Sequence, residues 1–265
     1  MNLEKNTLLI DADDTLWENN IYFQEAMQRF LGLMEGLGFP PEAVQAALND
    51  LERQNIKLRG YGSKKFIISM QEAFRLHCDQ GDMHCSVSRI GQNGTYGEAR
   101  VLAQAISAVC QAHCGENALT CLVDRIEQFG GTIAGRPMQL LDGVEEALRQ
   151  LALRNRLILF TKGDRAEQMD KVVRSGLSPY FHAVEVAREK NREAYLGLVI
   201  KYNLDKASTW MIGNSPRSDI NPSTLVGLRA VFIPHTCTWE LEEEPIALPE
   251  RVTVLRAFRD LTTLF

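Results

Sequence analysis

Two carboxylates stand one residue apart at the end of a short apolar run, where Leu8-Leu9-Ile10 leads directly into Asp11 and Asp13. Buried carboxylates are costly unless a partner uses their charge. Paired acids suit a hard cation such as Mg²⁺, which prefers oxygen ligands. They equally suit a carboxylate nucleophile with an acid–base partner beside it. An acidic turn in which Asp13, Asp14 or Thr15 caps the next helix is the alternative for this stretch.

Three later segments each combine the end of an apolar run with polar side chains. They span residues 157–164, 188–191 and 210–219. Their candidate functional residues are Thr161, Lys190, Asn214 and Asp219. Thr161 and Asp219 could instead cap the helices that follow them. Lys190 has Arg188 and Arg192 as neighbours, so a solvated basic cluster is its alternative.

In order and spacing, these segments resemble the motifs of the haloacid dehalogenase (HAD) superfamily of phosphotransfer and hydrolytic enzymes. The first motif, Asp-x-Asp-x-Thr after a strand, is complete at residues 11–15, and Thr161 and Lys190 match the second and third. The fourth motif, Gly-Asp-x-x-x-x-Asp in the family, reads Gly213-Asn214 followed by Asp219, so an asparagine replaces the first acid. The resemblance covers residues 7 to 235.

The resemblance implies a hydrolase that acts on a phosphate monoester in two steps. Asp11 would attack phosphorus and become an aspartyl-phosphate. Asp13 would protonate the leaving alcohol and then take a proton from the water that hydrolyses this intermediate. Thr161 would donate a hydrogen bond to a phosphoryl oxygen, and Lys190 would place a cation against the transferring group.

The resemblance also implies a Mg²⁺ ion held by Asp11, by the backbone carbonyl of Asp13 and by Asp219. Asn214 would lie beside the ion without the charge of the usual acid, so we expect weaker Mg²⁺ binding in an active enzyme. Asp14 stands where many relatives carry glycine. We interpret it as a helix cap or a supporting residue rather than a reactive one.

The acid at position 13 favours phosphate chemistry. In the dehalogenases of the superfamily the residue two places after the nucleophile is not acidic, because no leaving alcohol needs a proton. We therefore predict a Mg²⁺-dependent phosphatase that hydrolyses a small phosphorylated metabolite. A phosphomutase of the same superfamily is one alternative. A catalytically weak binding or regulatory protein with the same fold is another, and only Asn214 favours it.

The composition argues against several other classes of protein. The chain has 265 residues, of which 45% are hydrophobic, and this is enough for one large or two modest domains. Its net charge of −5 gives no reason to expect a nucleic-acid partner. No apolar run approaches the ~20 residues of a membrane span, and the N-terminus lacks signal-peptide features, so we expect a cytoplasmic protein without a membrane partner. The six cysteines match no common zinc module, and we expect no disulfide among them.

Beyond residue 140 the chain alternates strands and helices. Strands are predicted over 157–161, 182–186, 209–212 and 230–233, and helices over 140–153, 165–175, 193–202 and 222–226. This alternation predicts an α/β fold, a Rossmann-like parallel sheet with helices on both faces. Ligands of such sheets bind beyond the carboxyl ends of the strands, where Asp11, Thr161 and Asn214 would meet.

Residues 17–135 carry helical patterns without a convincing strand. Helices are predicted around residues 23–31 and over 44–58, 66–77, 101–111 and 119–129. We interpret this stretch as an all-helical cap inserted into a catalytic core of residues 1–16 and 136–265, with residues 130–131 and 135–137 as the return linker. In the family that the chain resembles, a C1-type cap at this place closes over the site and selects the substrate.

Substrate binding is predicted at a basic loop in the cap. Arg59, Lys64 and Lys65 could meet an anion, and the glycines between them allow a tight turn. An ordinary helix–helix turn with solvated bases is the alternative. Trp17, just after the first motif, could line the pocket or fill the core.

Three features near the end of the chain stay open or unassigned. His235 and Trp239 follow the last predicted strand and could reach the edge of the site or simply pack. The acidic run 240–244 is predicted to be solvated surface. The oligomeric state is not predicted.

Overall fold

The computed structural model describes residues 6–80 and 118–265. The chain divides into two compact units, one of Met1–Ile21 with Pro137–Phe265 and one of Tyr22–Arg136. We call the first the sheet unit and the second the helical unit. The predicted helix over 101–111 and the residues Cys85, Cys110 and Cys114 lie outside the described residues.

The sheet unit is built on six parallel strands. They are β1 (Thr7–Ile10), β2 (Arg156–Lys162), β3 (Ala183–Ala187), β4 (Thr209–Gly213), β5 (Arg229–Phe232) and β6 (Val252–Val254). The order β3-β2-β1-β4-β5-β6 places β1 at the centre of the sheet. This is the doubly wound order of Rossmann-like folds, so the predicted fold class is confirmed. Strand β6 was not predicted, because three residues carry too little pattern.

Eight α-helices accompany the sheet in the described part of the chain. They are α1 (Asn20–Gly36), α2 (Pro41–Arg59), α3 (Ser63–Gln80), α4 (Ala118–Ala134), α5 (Val144–Leu151), α6 (Arg165–Ser175), α7 (Arg192–Tyr202) and α8 (Asn221–Leu225). Helix α6 begins after Asp164, whose carboxylate accepts hydrogen bonds from the backbone of its first turn, and ends at Gly176 with φ 71°. These signals explain why its predicted bounds match the structure. None of the described helices is long and apolar enough to cross a membrane.

Both faces of the sheet are covered. Leu8 and Ile10 pack with Leu148 of α5 in one apolar cluster, while Leu9 packs with Tyr195 of α7 in another. Alternate residues of a strand point to opposite faces, so the run Leu8–Ile10 is apolar throughout because both faces are buried. This packing fixes the position at which β1 ends and the acids begin.

The described part of the helical unit contains helices only. Its core includes Phe30 of α1, Leu48 of α2 and Phe74 of α3. The predicted linker role of Gly130 is wrong, because this glycine lies inside α4, where a Cβ atom would fall 1.8 Å from Cγ1 of Ile67. Gly130 therefore permits the close approach of α3 and α4. The expectation of no disulfide is also wrong for Cys121 in α4, which is disulfide-bonded.

Candidate active site

The carboxyl ends of the three central strands gather buried polar side chains. Asp11 directly follows β1, Asn214 directly follows β4, and Thr161 lies near the end of β2. The backbone N–H of Asp11 donates to the carbonyl of Ile212 at 2.9 Å, so pairing of β1 with β4 continues up to the acid. All three polar side chains are buried. Because buried polar groups need partners, each contact around them is informative.

Lys190 joins two buried acids of this cluster, Asp11 and Asp219. Its Nζ donates to Oδ1 of Asp11 and, at 2.7 Å, to Oδ1 of Asp219. Burial alone would lower the pKa of Lys190, but Asp11 and Asp219 outweigh it and raise that pKa above its ordinary value. The lysine therefore stays charged. Arg188 and Arg192 are exposed, so among the three bases of this run Lys190 is the one at the carboxylates.

Asp219 is held in a π-helical turn, Pro216–Ile220, that follows β4. Its Oδ2 accepts from the backbone N–H of Ser215 at 3.0 Å, and the Tyr195 hydroxyl donates to the carbonyl of Ser218 at 2.9 Å. A Cβ atom on Gly213 would fall 2.2 Å from the Asp219 carboxylate. A glycine is therefore required at that position for the acid to reach the site. Helix α8, which follows this turn, has no side-chain cap at its start, so the capping alternative for Asp219 does not describe its contacts.

The charges of this cluster do not cancel. Asp11 and Asp219 share the single ammonium of Lys190. Burial raises the pKa of Asp219 above its ordinary value, and the Asp11 carboxylate raises it further, although Lys190 opposes both effects. A buried site with surplus negative charge and oxygen donors fits a divalent cation such as Mg²⁺. Asp11, Asp219 and the backbone carbonyl of Asp13 are the groups that could hold it.

Asn214 is joined to Asp11 through the first motif. The Thr15 hydroxyl lies 3.0 Å from Oδ2 of Asp11 and 3.2 Å from Oδ1 of Asn214. The asparagine therefore lies beside the nucleophile candidate with its carbonyl oxygen turned inward. It adds no charge where the family motif has an acid.

Asp13 is surrounded by hydrogen-bond donors. Its carboxylate accepts from Nε1 of Trp17 at 2.7 Å, from Nε2 of Gln168 at 2.9 Å, and from Nζ of Lys171 at 3.1 and 3.0 Å. Burial raises the pKa of Asp13, but Lys171 and the other donors outweigh burial and hold it below its ordinary value. Trp17 is fully buried in the apolar core of the sheet unit, where its indole N–H supports Asp13. Substrate binding by Trp17 stays a prediction.

Gln168 and Lys171 were missed in the sequence. They stand three residues apart on α6 and so share one helical face. The only sequence signal for them is a pair of long polar side chains on the helix after the second motif. A solvent-exposed helix face shows the same pattern, so the signal does not distinguish the two. The helix is capped by Asp164, which leaves Thr161 to face Gln168 instead of capping.

Asp14 has the supporting role predicted for it. Its backbone has φ 60°, a left-handed conformation that explains why a glycine suits this position. Its Oδ1 accepts from the backbone N–H groups of Asn19 and Asn20 at 2.9 and 3.0 Å, at the start of α1. Burial raises the pKa of Asp14 to about 7. His235 lies beside it and contacts Glu18 at 3.3 Å, so the histidine packs against one acid of the first motif and one acid just after it.

The acidic run 240–244 is not entirely solvated, and the prediction of surface is wrong for Glu242. This carboxylate is buried and accepts from Lys162, Ser215 and Ser218. Burial raises the pKa of Glu242, but Lys162 and the two hydroxyls outweigh burial and lower it. Glu242 thus ties the residue after Thr161 to the turn that carries Asp219.

The basic loop belongs to the helical unit. Gly60 and Gly62 have φ 78° and 135°, which gives the tight turn between α2 and α3 that the sequence predicted. Arg59 contacts Glu72 at 3.4 Å, and Nζ of Lys65 donates to the carbonyl of Tyr61 at 3.0 Å. Lys64 is exposed. Substrate binding by Arg59, Lys64 and Lys65 stays a prediction.

Comparison with known proteins identifies the family of this chain. A family model described as haloacid dehalogenase-like hydrolase matches residues 5–221. No curated protein matches the chain.

Three solved structures share the fold over nearly the whole chain. A haloacid dehalogenase-like family hydrolase from Xanthomonas campestris is 26% identical, with a TM-score of 0.71 over 98% of this chain and 90% of that one. The HAD-hydrolase YfnB from Bacillus subtilis, bound to magnesium, is 18% identical, with a TM-score of 0.55 over 99% of each chain. A 2-haloacid dehalogenase from Pseudomonas syringae is 17% identical, with a TM-score of 0.54 over 98% and 97% of the two chains.

Proposed function

Because the chain belongs to the haloacid dehalogenase-like hydrolase family, we propose that it is a Mg²⁺-dependent phosphatase that hydrolyses a small phosphorylated metabolite. The observation that carries the proposal is the pairing of two different acids. Asp11 is buried against Lys190, as a nucleophile for an anionic phosphoryl group requires. Asp13, two residues later, supplies the proton carrier that an alcohol leaving group needs and that a halide does not.

In the first step of the proposed reaction, a carboxylate oxygen of Asp11 forms a bond to phosphorus and the bond from phosphorus to the ester oxygen breaks. Protonated Asp13 gives its proton to the leaving oxygen. Lys190 compensates negative charge on the transferring group, and the Thr161 hydroxyl turns from Gln168 to donate to a phosphoryl oxygen. Mg²⁺ would supply further compensation of phosphate charge when bound.

In the second step, water attacks the phosphorus of the aspartyl-phosphate while Asp13 takes a proton from that water. The bond from phosphorus to Asp11 breaks, which releases inorganic phosphate and restores the nucleophile. The donors around Asp13 favour its ionised form, which is the form this step requires. The proton that Asp13 takes from this water is the one that it gives to the leaving oxygen of the next substrate molecule.

The experiment is a panel of phosphorylated sugars, nucleotides and organic acids, assayed for phosphate release with and without Mg²⁺. Acid quenching during turnover should trap one phosphoryl group on the peptide that contains Asp11. Asp11→Asn should lower turnover at least 100-fold and abolish the trapped species, since a nucleophile contributes more than the ~10²-fold minimum typical of acid–base groups. Mg²⁺-independent turnover, or a phosphoenzyme that persists in Asp11→Asn, would contradict the proposal.

The partner that we propose is therefore a small phosphorylated substrate, without nucleic acid or membrane. A cytoplasmic location is part of the same proposal. The net charge of −5 supports the absence of a nucleic-acid partner, because neutralising phosphate backbones requires a basic surface. An assay for binding to duplex DNA and to anionic vesicles, with binding to neither expected, checks this part.

A further inference from the structure

The Gln168 side chain connects the first motif, through Asp13, with the second motif, through Thr161. These two motifs are far apart in the sequence. Its side chain is buried on α6 with 4% exposure. The Thr161 hydroxyl donates to its Oε1 at 3.3 Å, and its Nε2 donates to Oδ2 of Asp13 at 2.9 Å. Because an ionised carboxylate only accepts hydrogen bonds, the contact with Asp13 fixes which end of the amide faces which partner.

The surroundings leave the amide little freedom. Gly163 has φ 136°, and a Cβ atom there would lie 3.1 Å from Nε2 of Gln168. A glycine at this position therefore makes room for the amide. One helical turn further along α6, Lys171 contacts both oxygens of Asp13 and also donates to Oδ1 of Asn19 at 2.8 Å. One face of α6 thus donates to both oxygens of the Asp13 carboxylate, and Nε1 of Trp17 donates to Oδ1 as well.

We propose that Gln168 is a positioning residue, which aligns Asp13 for proton transfer and ties that alignment to Thr161, with Lys171 as its charged support. The proposal rests on the proposed function, since Asp13 needs alignment only if it moves a proton. A carboxylate has two oxygens and can rotate about its side-chain bonds, so a bond from a fixed, buried amide selects one orientation of it. Gln168 and Lys171 act through Asp13 and carry no proton themselves, so they are positioning residues and not catalytic ones.

The test is pre-steady-state hydrolysis of an aryl phosphate by Gln168→Met, which keeps the length of the side chain and removes both hydrogen bonds. A phenol of low pKa leaves without a proton, so the first step does not depend on Asp13. We expect about one equivalent of phenol per enzyme in a fast phase, followed by turnover reduced about 10–100-fold, the usual cost of losing a residue that orients a functional group. The exposed Gln150→Met on α5 is the matched control and should behave like the native chain.

Lys171→Gln provides a second variant in case Gln168→Met does not fold, and it should show the same fast phase followed by slow turnover. If the slow phase of both variants equals that of the control, the positioning role is overturned. If the fast phase and the slow phase fall together in a folded variant, the role is merely structural and the inference is equally overturned. A native chain that hydrolyses no aryl or alkyl phosphate would instead refute the proposed function.

Discussion

The two units of this protein differ in how deeply their most buried ion pairs lie. In the sheet unit, Lys190, Lys162 and Lys171 are each largely buried against carboxylates, with side-chain exposures of 1%, 16% and 13%. In the helical unit, ion pairs such as Arg53–Asp50 and Arg136–Glu25 lie at the surface. A surface ion pair contributes little to stability, whereas a buried charge that loses its partner costs several kcal/mol.

This difference in the burial of ion pairs indicates a different role for each unit. Buried ion pairs are often no better for stability than apolar packing, so three of them at one edge of a sheet indicate a chemical use. The core of the helical unit is mostly apolar and includes Phe30, Met34 and Met70. We therefore expect substitutions of buried charges in the sheet unit to change chemistry first, and substitutions of buried residues in the helical unit to change stability alone.

The largest effect should come from Asp13→Asn. Asparagine keeps the size of the side chain but cannot carry the proton, so alkyl phosphates should lose about 10²–10⁴-fold in turnover. Aryl phosphates should lose less, because their first step needs no proton. The measurement is the first-step rate for each substrate within the first turnover, because the two substrates share the second step, with the exposed Asp142→Asn as control. Equal losses on both substrates would remove Asp13 from proton transfer and weaken the contrast between the units.

The sheet unit illustrates what its sequence could and could not predict. The strands that lead to Asp11, Thr161 and Asp219 were predictable, because apolar runs and caps are local and parallel strands bring their ends together. Gln168 was not, because its burial depends on α6 packing beside Asp13, which lies 155 positions away in the chain. Glu242 was not predictable either, because it is one of several glutamates in the run 240–244. No local pattern shows which acid of such a run is buried.

Glu242→Gln tests the effect of burial within a single acidic run, because Glu242 is buried and Glu243 is exposed. The variant would leave the ammonium of Lys162 without the buried carboxylate that it contacts, although Glu189 lies 3.7 Å away. We expect the free energy of unfolding to fall by about 2–4 kcal/mol, somewhat less than the usual cost of breaking a buried pair because of that second acid. Chemical denaturation measures it. Glu243→Gln, at an exposed position, should stay within about 0.5 kcal/mol of the native chain, and equal effects of the two variants would show that burial of Glu242 is unimportant.

Asn214→Asp should have a smaller effect, confined to metal binding. The new carboxylate would lie beside Thr15 and Asp11 and add one negative charge to the proposed cation site. We expect the Mg²⁺ concentration for half-maximal activity to fall about tenfold, at the low end for residues that support metal ligands, with little change at saturating metal. Calorimetric Mg²⁺ titration is the second readout, and the exposed Asn203→Asp is the control. Coincident titration curves would mean that position 214 does not influence the cation, and activity that appears only in the Asp variant would favour a regulatory role for the native chain.

Glu52 tests the contrast between the units, because it is a largely buried acid in the helical unit. It lies on α2, and burial raises its pKa to about 7 although Arg53 opposes the shift. A carboxyl whose pKa is raised on folding binds a proton in the native state that the unfolded chain releases near its ordinary pKa of 4.5. The native chain should therefore lose stability as the pH rises from about 4.5 to 7, and change no further above that range through this group.

Glu52→Gln should flatten this dependence. The difference in unfolding free energy between variant and native chain should grow by about 1–2 kcal/mol between pH 5 and pH 8, less than full burial would give because the residue is partly exposed. Denaturant unfolding at several pH values measures it, and Asp50→Asn, whose side chain is 71% exposed, should leave the dependence unchanged. Phosphatase activity at saturating substrate should not differ between Glu52→Gln and the native chain. A loss of activity with unchanged stability would show that the helical unit also carries chemistry in a buried acid, and the contrast between the two units would then fail.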